Sequence, residues 1–342
     1  MKGKTPPWEV WSTSKLSCLL TCPLMFRFIY VDKLTVPIKA KKAFGIAIHQ
    51  LLKMFFSPRL KNGYKSAESF TRVWVNCWCS MVKNKKTFGK EYPPIKFENS
   101  DDPEKYLGLG TAMLKNFYYR NIEYLRSLPR PIVEKPLYSE IHGVKIMGSP
   151  DRIQPLENGK TAIIDYKTGW AKNIDIFFYQ LQFAFYSYLY LTNAHKLKTG
   201  KLTKLALYNV ISKDPKIYIP LKEITNPEDI EPITINDLKE VPLPTIGHFE
   251  LLGRLVEQAK EYVKTVLEKR FQKEKEFFCF GDTQSGTFTP HPGLHCAIWC
   301  DYQEECEKFI QSLGNTQTGK RIKGKILAQE EAIKIEESNF LL

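Results

Sequence analysis

The chain of 342 residues is 43% hydrophobic and 25% charged, enough to bury a full core in one large domain or two small ones, which excludes a disordered tract. Its 50 Lys and Arg outnumber its 37 Asp and Glu, so the surface suits a polyanion: nucleic acid first, an acidic membrane less specifically. No apolar run reaches the roughly 18 residues that a membrane-spanning helix requires. The basic MKGK before LSCLLTCPLMF imitates a secretion signal, but polar WSTSK stands where its apolar segment should begin and no small-residue cleavage site follows, so a cytoplasmic protein is expected.

From the N-terminus, residues 12–30 open on a Ser/Thr cap signal and carry Leu, Cys and Phe at helical spacing, and AFGIAIHQLLKMFF at 43–56 predicts an amphipathic helix. Residues 64–128 are mostly helical in pattern, with a polar, proline-containing break near 89–103. The texture then changes. VEKPLYSEIHGVKIMG predicts a hairpin turning near His142-Gly143, and TAIIDYK a short buried strand. A helix over about 174–193 follows, then strands at 202–212 and 216–221, a proline-rich connection near 220–245, a charged helix at 249–277 and a cysteine-rich segment. No internal repeat appears. These elements predict an α/β fold with a central mixed sheet flanked by helices.

The stretch GSPDRIQPLENGKTAIIDYKTG at 148–169 sets charges among apolar residues. Side chains alternate along a strand, so Asp165 and Lys167 share one face. A turn centred on Asn158 makes Asp151 and Asp165 symmetric partners, which brings two carboxylates together. Converging carboxylates repel unless a divalent cation sits between them, and oxygen ligands favour Mg²⁺ or Mn²⁺. Lys167 beside such an ion can stabilise charge on a phosphate. The bland alternative is a surface ion pair with Asp151-Arg152 capping a turn.

The pair GSPDRI and IIDYKTG resembles the core of the PD-(D/E)xK nuclease superfamily, in particular its RecB-like exonuclease branch. Two further motifs carry the resemblance: Gly45-Ile46-Ala47-Ile48-His49 upstream, and Gln182 with Tyr186 in QLQFAFY, with Phe183 where leucine is usual. The resemblance implies a restriction-endonuclease-like core, a metal held by His49, Asp151, Asp165 and the backbone carbonyl of Tyr166, and a catalytic Lys167. Gln182 and Tyr186 would position DNA or the lysine, and Gln180 competes for the glutamine role. Tyr118, Tyr119, Phe177 and Phe178 are candidates to guide a single strand by stacking, or else core residues.

Among the eight cysteines, Cys77, Cys79 and Cys279 are expected to be ordinary buried thiols. In the iron–sulfur members of this branch a cysteine before a proline near the N-terminus joins three at the C-terminal end. Cys22, Cys296, Cys300 and Cys306 match, which implies a [4Fe–4S] cluster clasping the two ends. The usual spacing of the last three is C-x2-C-x5-C, and the extra residue between Cys296 and Cys300 leaves Zn²⁺ open. Cys18 competes for the first position, and His295 for another.

The resemblance thus implies a single nuclease domain over 1–310, with a helical insertion at 57–128, a sheet core at 131–221, a cysteine region at 279–310 and a charged tail at 311–342. It implies a metal-dependent DNA exonuclease acting on single strands or free ends. With no Walker motif, the chain should cut without ATP or beside a separate helicase or CRISPR-adaptation protein. The alternatives are a partner-dependent nuclease subunit and a cluster-bearing DNA-binding module without activity.

Overall fold

A computed structural model describes residues 6, 8–56, 66–98, 101–168, 176–210, 238–267 and 300–312. The chain opens with β1 (Val10–Trp11), α1 (Thr13–Thr21) and the one-turn α2 (Pro23–Phe26), which runs into a π-helical turn at Arg27–Val31. Then come β2 (Ile38–Lys39), α3 (Ala40–Phe55), α4 (Ala67–Val82), β3 (Ile95–Lys96) and α5 (Pro103–Ser127). Strands β4 (Ile132–Val133), β5 (Leu137–Ile141), β6 (Val144–Gly148), β7 (Arg152–Pro155) and β8 (Lys160–Lys167) follow. The remaining described elements are α6 (Ile176–Leu197), β9 (Lys201–Asn209), β10 (Lys239–Val241), α7 (Ile246–Leu267) and α8 (Gln303–Ser312). The result is mixed α/β, consistent with a restriction-endonuclease-like core. Among the described residues no helix is long and apolar enough to cross a membrane.

The chain divides into two compact units. The larger, Pro37–Ser139 with Met147–Leu252, is built on a five-stranded sheet ordered β10-β9-β8-β7-β4, in which β8 and β9 run parallel and the other neighbours antiparallel. The central strand β8 reads KTAIIDYK and is buried along nearly its whole length, as the β-branched run between Gly159 and Thr168 leads one to expect. Its alternation decides what each face meets. Ala162, Ile164 and Tyr166, with Ala206, Tyr208 and Val210 of β9, join the core of α3, α4 and α5, where Phe44, Trp74, Trp78 and Phe117 are buried. The other face of β8 carries Ile163, Asp165 and Lys167.

Helix α4 is held at its start by a capping box between Ser66 and Ser69. Indole N–H groups tie it to the next helix, Trp74 donating to Leu107 O at 2.9 Å and Trp78 to Pro103 O at 2.9 Å. Tyr118 belongs to this core at 6% exposure, which removes it from the stacking role considered for it. Tyr119 is half-buried and donates to Glu68 Oε1 at 3.2 Å. The side chains of Phe177 and Phe178 lie outside the described residues. Cys77 and Cys79 are half-buried, not the fully buried thiols expected, because they flank the buried Trp74–Trp78 stripe of α4 on its two sides instead of lying on it.

The second unit comprises Met1–Val36, Glu140–Ile146 and Gly253–Leu342. β1 adds in parallel to β6, Val10 opposite Lys145 and Trp11 opposite Ile146. The helix expected over 12–30 is broken at Cys22, where an extended backbone ends α1 and the Pro23 ring starts α2. Cys22, Leu24, Phe28, Val36, Cys300 and Tyr302 form a small buried cluster, with Cys306 and Phe309 of α8 packed on it. Tyr302 closes it by donating to Leu34 O at 3.2 Å. Cys279, His295 and Cys296, the strand at 216–221 and the tail from residue 313 fall outside the described residues. Among the described residues of the proline-rich connection is an element not anticipated, β10, which pairs antiparallel with β9.

Candidate active site

The site begins with the turn between β7 and β8. Glu157–Gly159 form one 3₁₀ turn in which Asn158 takes φ 55°, a left-handed conformation that Asn tolerates better than most residues. This turn fixes the register: Arg152 faces Ile164 and Ile153 faces Ile163. One step further along the same ladder, Asp151 stands opposite Asp165, as the symmetry about Asn158 predicts. Asp151 has left the strand, and its Oδ2 accepts the Tyr166 N–H at 2.8 Å. In an antiparallel ladder the N–H and C=O of one residue face the same neighbour, so the Tyr166 carbonyl opens toward Asp151.

Helix α3 supplies His49, whose Nδ1 lies 3.3 Å from Asp151 Oδ2. Burial alone would lower the imidazole pKa, but the hydrogen bond and charge of Asp151, with Asp165 behind it, raise it above the usual value. Asp165 is 2% exposed. Burial and the charge of Asp151 push its carboxyl up to about 6, against the opposing pull of Lys167 and His49. The Lys167 ammonium lies against Asp165 Oδ2, yet that buried oxygen has no hydrogen bond of good geometry. Lys167 itself is held above the ordinary lysine value, because its neighbouring carboxylates outweigh the cost of burial.

Helix α6 covers this face. Gln182 Oε1 accepts from Lys167 Nζ at 3.4 Å, and Gln182 Nε2 donates to Tyr186 Oη at 3.1 Å. The competing Gln180 is exposed. Tyr179, which sequence reasoning missed, places its ring 4.6 Å from Lys167 Nζ. Its signal was present: Tyr179, Gln182 and Tyr186 are spaced by three and four and form one stripe of the helix. Gly148 of the GSPD motif lets this helix approach, since a Cβ there would lie 2.8 Å from Leu189 Cδ1.

Among the described residues no three His, Cys, Asp or Glu side chains converge closely enough to hold a metal ion as they stand. Asp165 is engaged by Lys167, and Asp151 by His49 and the Tyr166 N–H. The donor chemistry nevertheless fits a hard divalent cation: two carboxylates from neighbouring strands, an imidazole, a carbonyl and one buried oxygen short of a hydrogen bond. Cys22, Cys300 and Cys306 share an apolar cluster but do not close as a metal site either.

The family model of the PD-(D/E)XK nuclease superfamily matches residues 10–307. The chain belongs to the PD-(D/E)XK nuclease superfamily. A comparison with curated proteins returns no match. Among solved structures, this nuclease domain is similar to a Eubacterium rectale protein provisionally named as an exonuclease, at 12% identity and a TM-score of 0.41, covering 78% of this chain and 84% of that one. It is also similar to the protein SSO0001, at 16% identity and a TM-score of 0.29, covering 77% and 97%. Likeness at this level carries no argument about substrate. As a PD-(D/E)XK nuclease the protein acts on nucleic acid, and this superfamily generally uses Mg²⁺ or Mn²⁺.

Proposed function

We propose that the protein is a metal-dependent DNA exonuclease of the RecB-like branch, acting on single strands or free ends. The observation that carries the nuclease chemistry is the β7–β8 register, which sets Asp151 and Asp165 against one another with Lys167 on the same face. The preference for DNA ends rests on the RecB-like motifs at His49 and at Gln182 and Tyr186. His49, Asp151, Asp165 and the Tyr166 carbonyl would hold a divalent cation, which would supply Lewis-acid polarisation of the phosphate and lower the pKa of a water. His49 and the Tyr166 N–H fix the carboxylate of Asp151. Lys167 carries a full positive charge to the phosphate and offsets the negative charge that develops there. Gln182 and Tyr179 hold that ammonium in place, and Tyr186 orients Gln182.

The cysteine cluster extends the same proposal: Cys22, Cys300 and Cys306, with Cys296 from outside the described residues, hold a [4Fe–4S] cluster within the second unit. Thiolates in an apolar shell suit such a cluster. A helicase or CRISPR-adaptation protein would supply any motor. The deciding experiment is Mn²⁺-dependent digestion of end-labelled single-stranded DNA by the purified chain beside its Asp165→Asn variant. Stepwise shortening by the first and none by the second supports the proposal; intact DNA with every divalent metal rejects it.

A further inference from the structure

The loop after α4 reads KNKKTFGK over residues 83–90 and sets four lysines in eight residues. It is tightly folded. Asn84, at φ 53°, ends the helix in a Schellman motif, its N–H donating to Met81 O at 3.0 Å and that of Lys85 to Ser80 O at 2.8 Å. Thr87 and Lys90 then exchange two backbone hydrogen bonds of 2.9 Å across a two-residue turn. Both central residues take positive φ, 52° at Phe88 and 75° at Gly89, a pattern for which Asn-Gly is the usual pair. Phenylalanine is strained there. Its half-buried ring packs on the core of α3, α4 and α5 and so pins the turn.

Lys83, Lys85, Lys86 and Lys90 are exposed, and among the described residues no carboxylate pairs with any of the four, the neighbouring Glu91 included. Cations at the C-terminal end of α4 suit its dipole, which accounts for Lys83 and Lys85. The effect fades within the last turn, so it does not account for Lys86 and Lys90, whose like charges beside Lys85 repel. The loop exposes no large apolar side chain. What it offers a partner is fixed positive charge without the apolar centre of a protein interface. The phosphate backbone of a nucleic acid is the ligand of that chemistry.

Helices α3 and α4 run antiparallel, with Phe55 against Phe70 at one end and Phe44 against Trp78 at the other, ring centroids 5.1 and 6.2 Å apart. Lys83 is five residues beyond Trp78, which brings it level with Lys39, and Lys39 is ten residues, about 15 Å, from His49 along α3. The loop therefore stands off the catalytic groups. We propose that Lys85, Lys86 and Lys90 form a second contact for nucleic acid, which anchors the phosphate backbone of the substrate outside the active site. The inference deepens the nuclease reading and rests on it for the choice of ligand. With one phosphate per roughly 3.4 Å of B-form strand, the anchor meets the substrate about four or more nucleotides from the bond being cut. It adds affinity without reading bases, retains the strand between cuts and takes no part in bond cleavage.

The test measures binding of a labelled long oligothymidylate in EDTA, where no cleavage occurs, across a salt series. It compares the wild type, Lys85→Gln/Lys86→Gln/Lys90→Gln, Lys85→Arg/Lys86→Arg/Lys90→Arg and a control that removes the same charge, Lys160→Gln/Lys198→Gln/Lys201→Gln. The control lysines are exposed at the turns where Gly159 and Gly200 meet, at the far end of β8 from Lys167. The anchor predicts that the salt slope of log K falls in magnitude by about 2 in the loop glutamine variant, at about 0.7 per phosphate contact on a single strand. Arginine should restore the slope and the control should leave it unchanged. Reductive methylation of the wild type depends on no variant: bound oligothymidylate should protect Lys85, Lys86 and Lys90 and leave Lys160, Lys198 and Lys201 reactive. Equal slope changes in the two glutamine variants, or equal protection of the two sets, overturn the anchor. No slope change and no protection at the loop also overturn it, and leave an acidic protein as the partner of these lysines. A wild type that digests no DNA with any divalent metal overturns the nuclease reading instead, and the binding series then judges the anchor by itself.

Discussion

Lys167 and Asp165 lie in contact on one face of β8, and the carboxylate between the lysine and Asp151 is buried to 2% exposure. An ion pair placed there is poor at stabilising the fold, because desolvation of the two charges offsets most of their attraction. Its use is chemical. Lys167→Met should lower kcat by about 10²–10³, the range for removing one preorganised charge-stabilising group, and should also lower the thermal midpoint near neutral pH, because Asp165 is left buried beside Asp151 without its cation. Steady-state digestion of end-labelled DNA and a melting curve on the same preparation check both halves. A large drop in melting temperature with unchanged cleavage would assign Lys167 to the fold.

The pH dependence of the metal-free protein follows from the same residues. Asp165 has its carboxyl pushed up to about 6 by burial and by Asp151, so the folded chain binds that proton more tightly than the unfolded chain. His49 is also raised. Both groups then stabilise the fold at low pH and lose that contribution as pH rises through their folded values. In EDTA the protein should melt at a higher temperature near pH 5.5 than near pH 8, and Asp165→Asn should remove much of the difference. Mn²⁺ should invert the trend, since the carboxylate must be ionised to bind it. A metal-free protein that is more stable at pH 8 would contradict the sign.

Much of this site was legible in the sequence because it is local. The ENG turn centred on Asn158 is enough to pair Asp151 with Asp165, and the hairpin at His142-Gly143 forms where expected, both residues taking positive φ. What was not legible depends on distant partners. β1, β2 and β3 are two residues long and form only by parallel pairing with remote strands, so they leave no periodic signal. The phase of α6 was hidden because that helix is apolar on nearly every side, and only packing shows that Gln182 turns inward while Gln180 faces solvent. The break at Cys22 was foreshadowed by Pro23, but the π turn after it has no sequence mark that we recognise.

That phase makes a separate prediction for the residues around Lys167. Gln182→Ala removes the acceptor at 3.4 Å, Tyr186→Phe removes the hydroxyl that orients Gln182, and Tyr179→Leu removes the ring beneath the ammonium. Each contact contributes about 1 kcal/mol, so each variant should lose roughly fivefold to tenfold in kcat with KM nearly constant. The Gln182 and Tyr186 variants should be less than additive, since they act on one chain of hydrogen bonds. Gln180→Ala should match the wild type. An effect of Gln180→Ala equal to that of Gln182→Ala would mean that the helix turns differently in the working enzyme.

The cysteines give a prediction that can be read by eye. Cys22 sits at the break between α1 and α2, and Cys300 and Cys306 meet it in one apolar cluster. If Cys296 completes a [4Fe–4S] cluster there, protein purified without oxygen should be brown and carry about four irons per chain. Cys22→Ser and Cys306→Ser should each abolish the colour, whereas Cys77→Ser on α4 should keep it. The described apolar cluster around these thiols is small, so loss of the iron should lower the second unit's resistance to proteolysis before it affects the larger unit, where Asp165 and Lys167 lie. Limited proteolysis of the two serine variants tests that order. Colourless protein with one zinc per chain would replace the iron by a structural Zn²⁺ held by the same thiolates, and metal-free, fully stable protein would remove both.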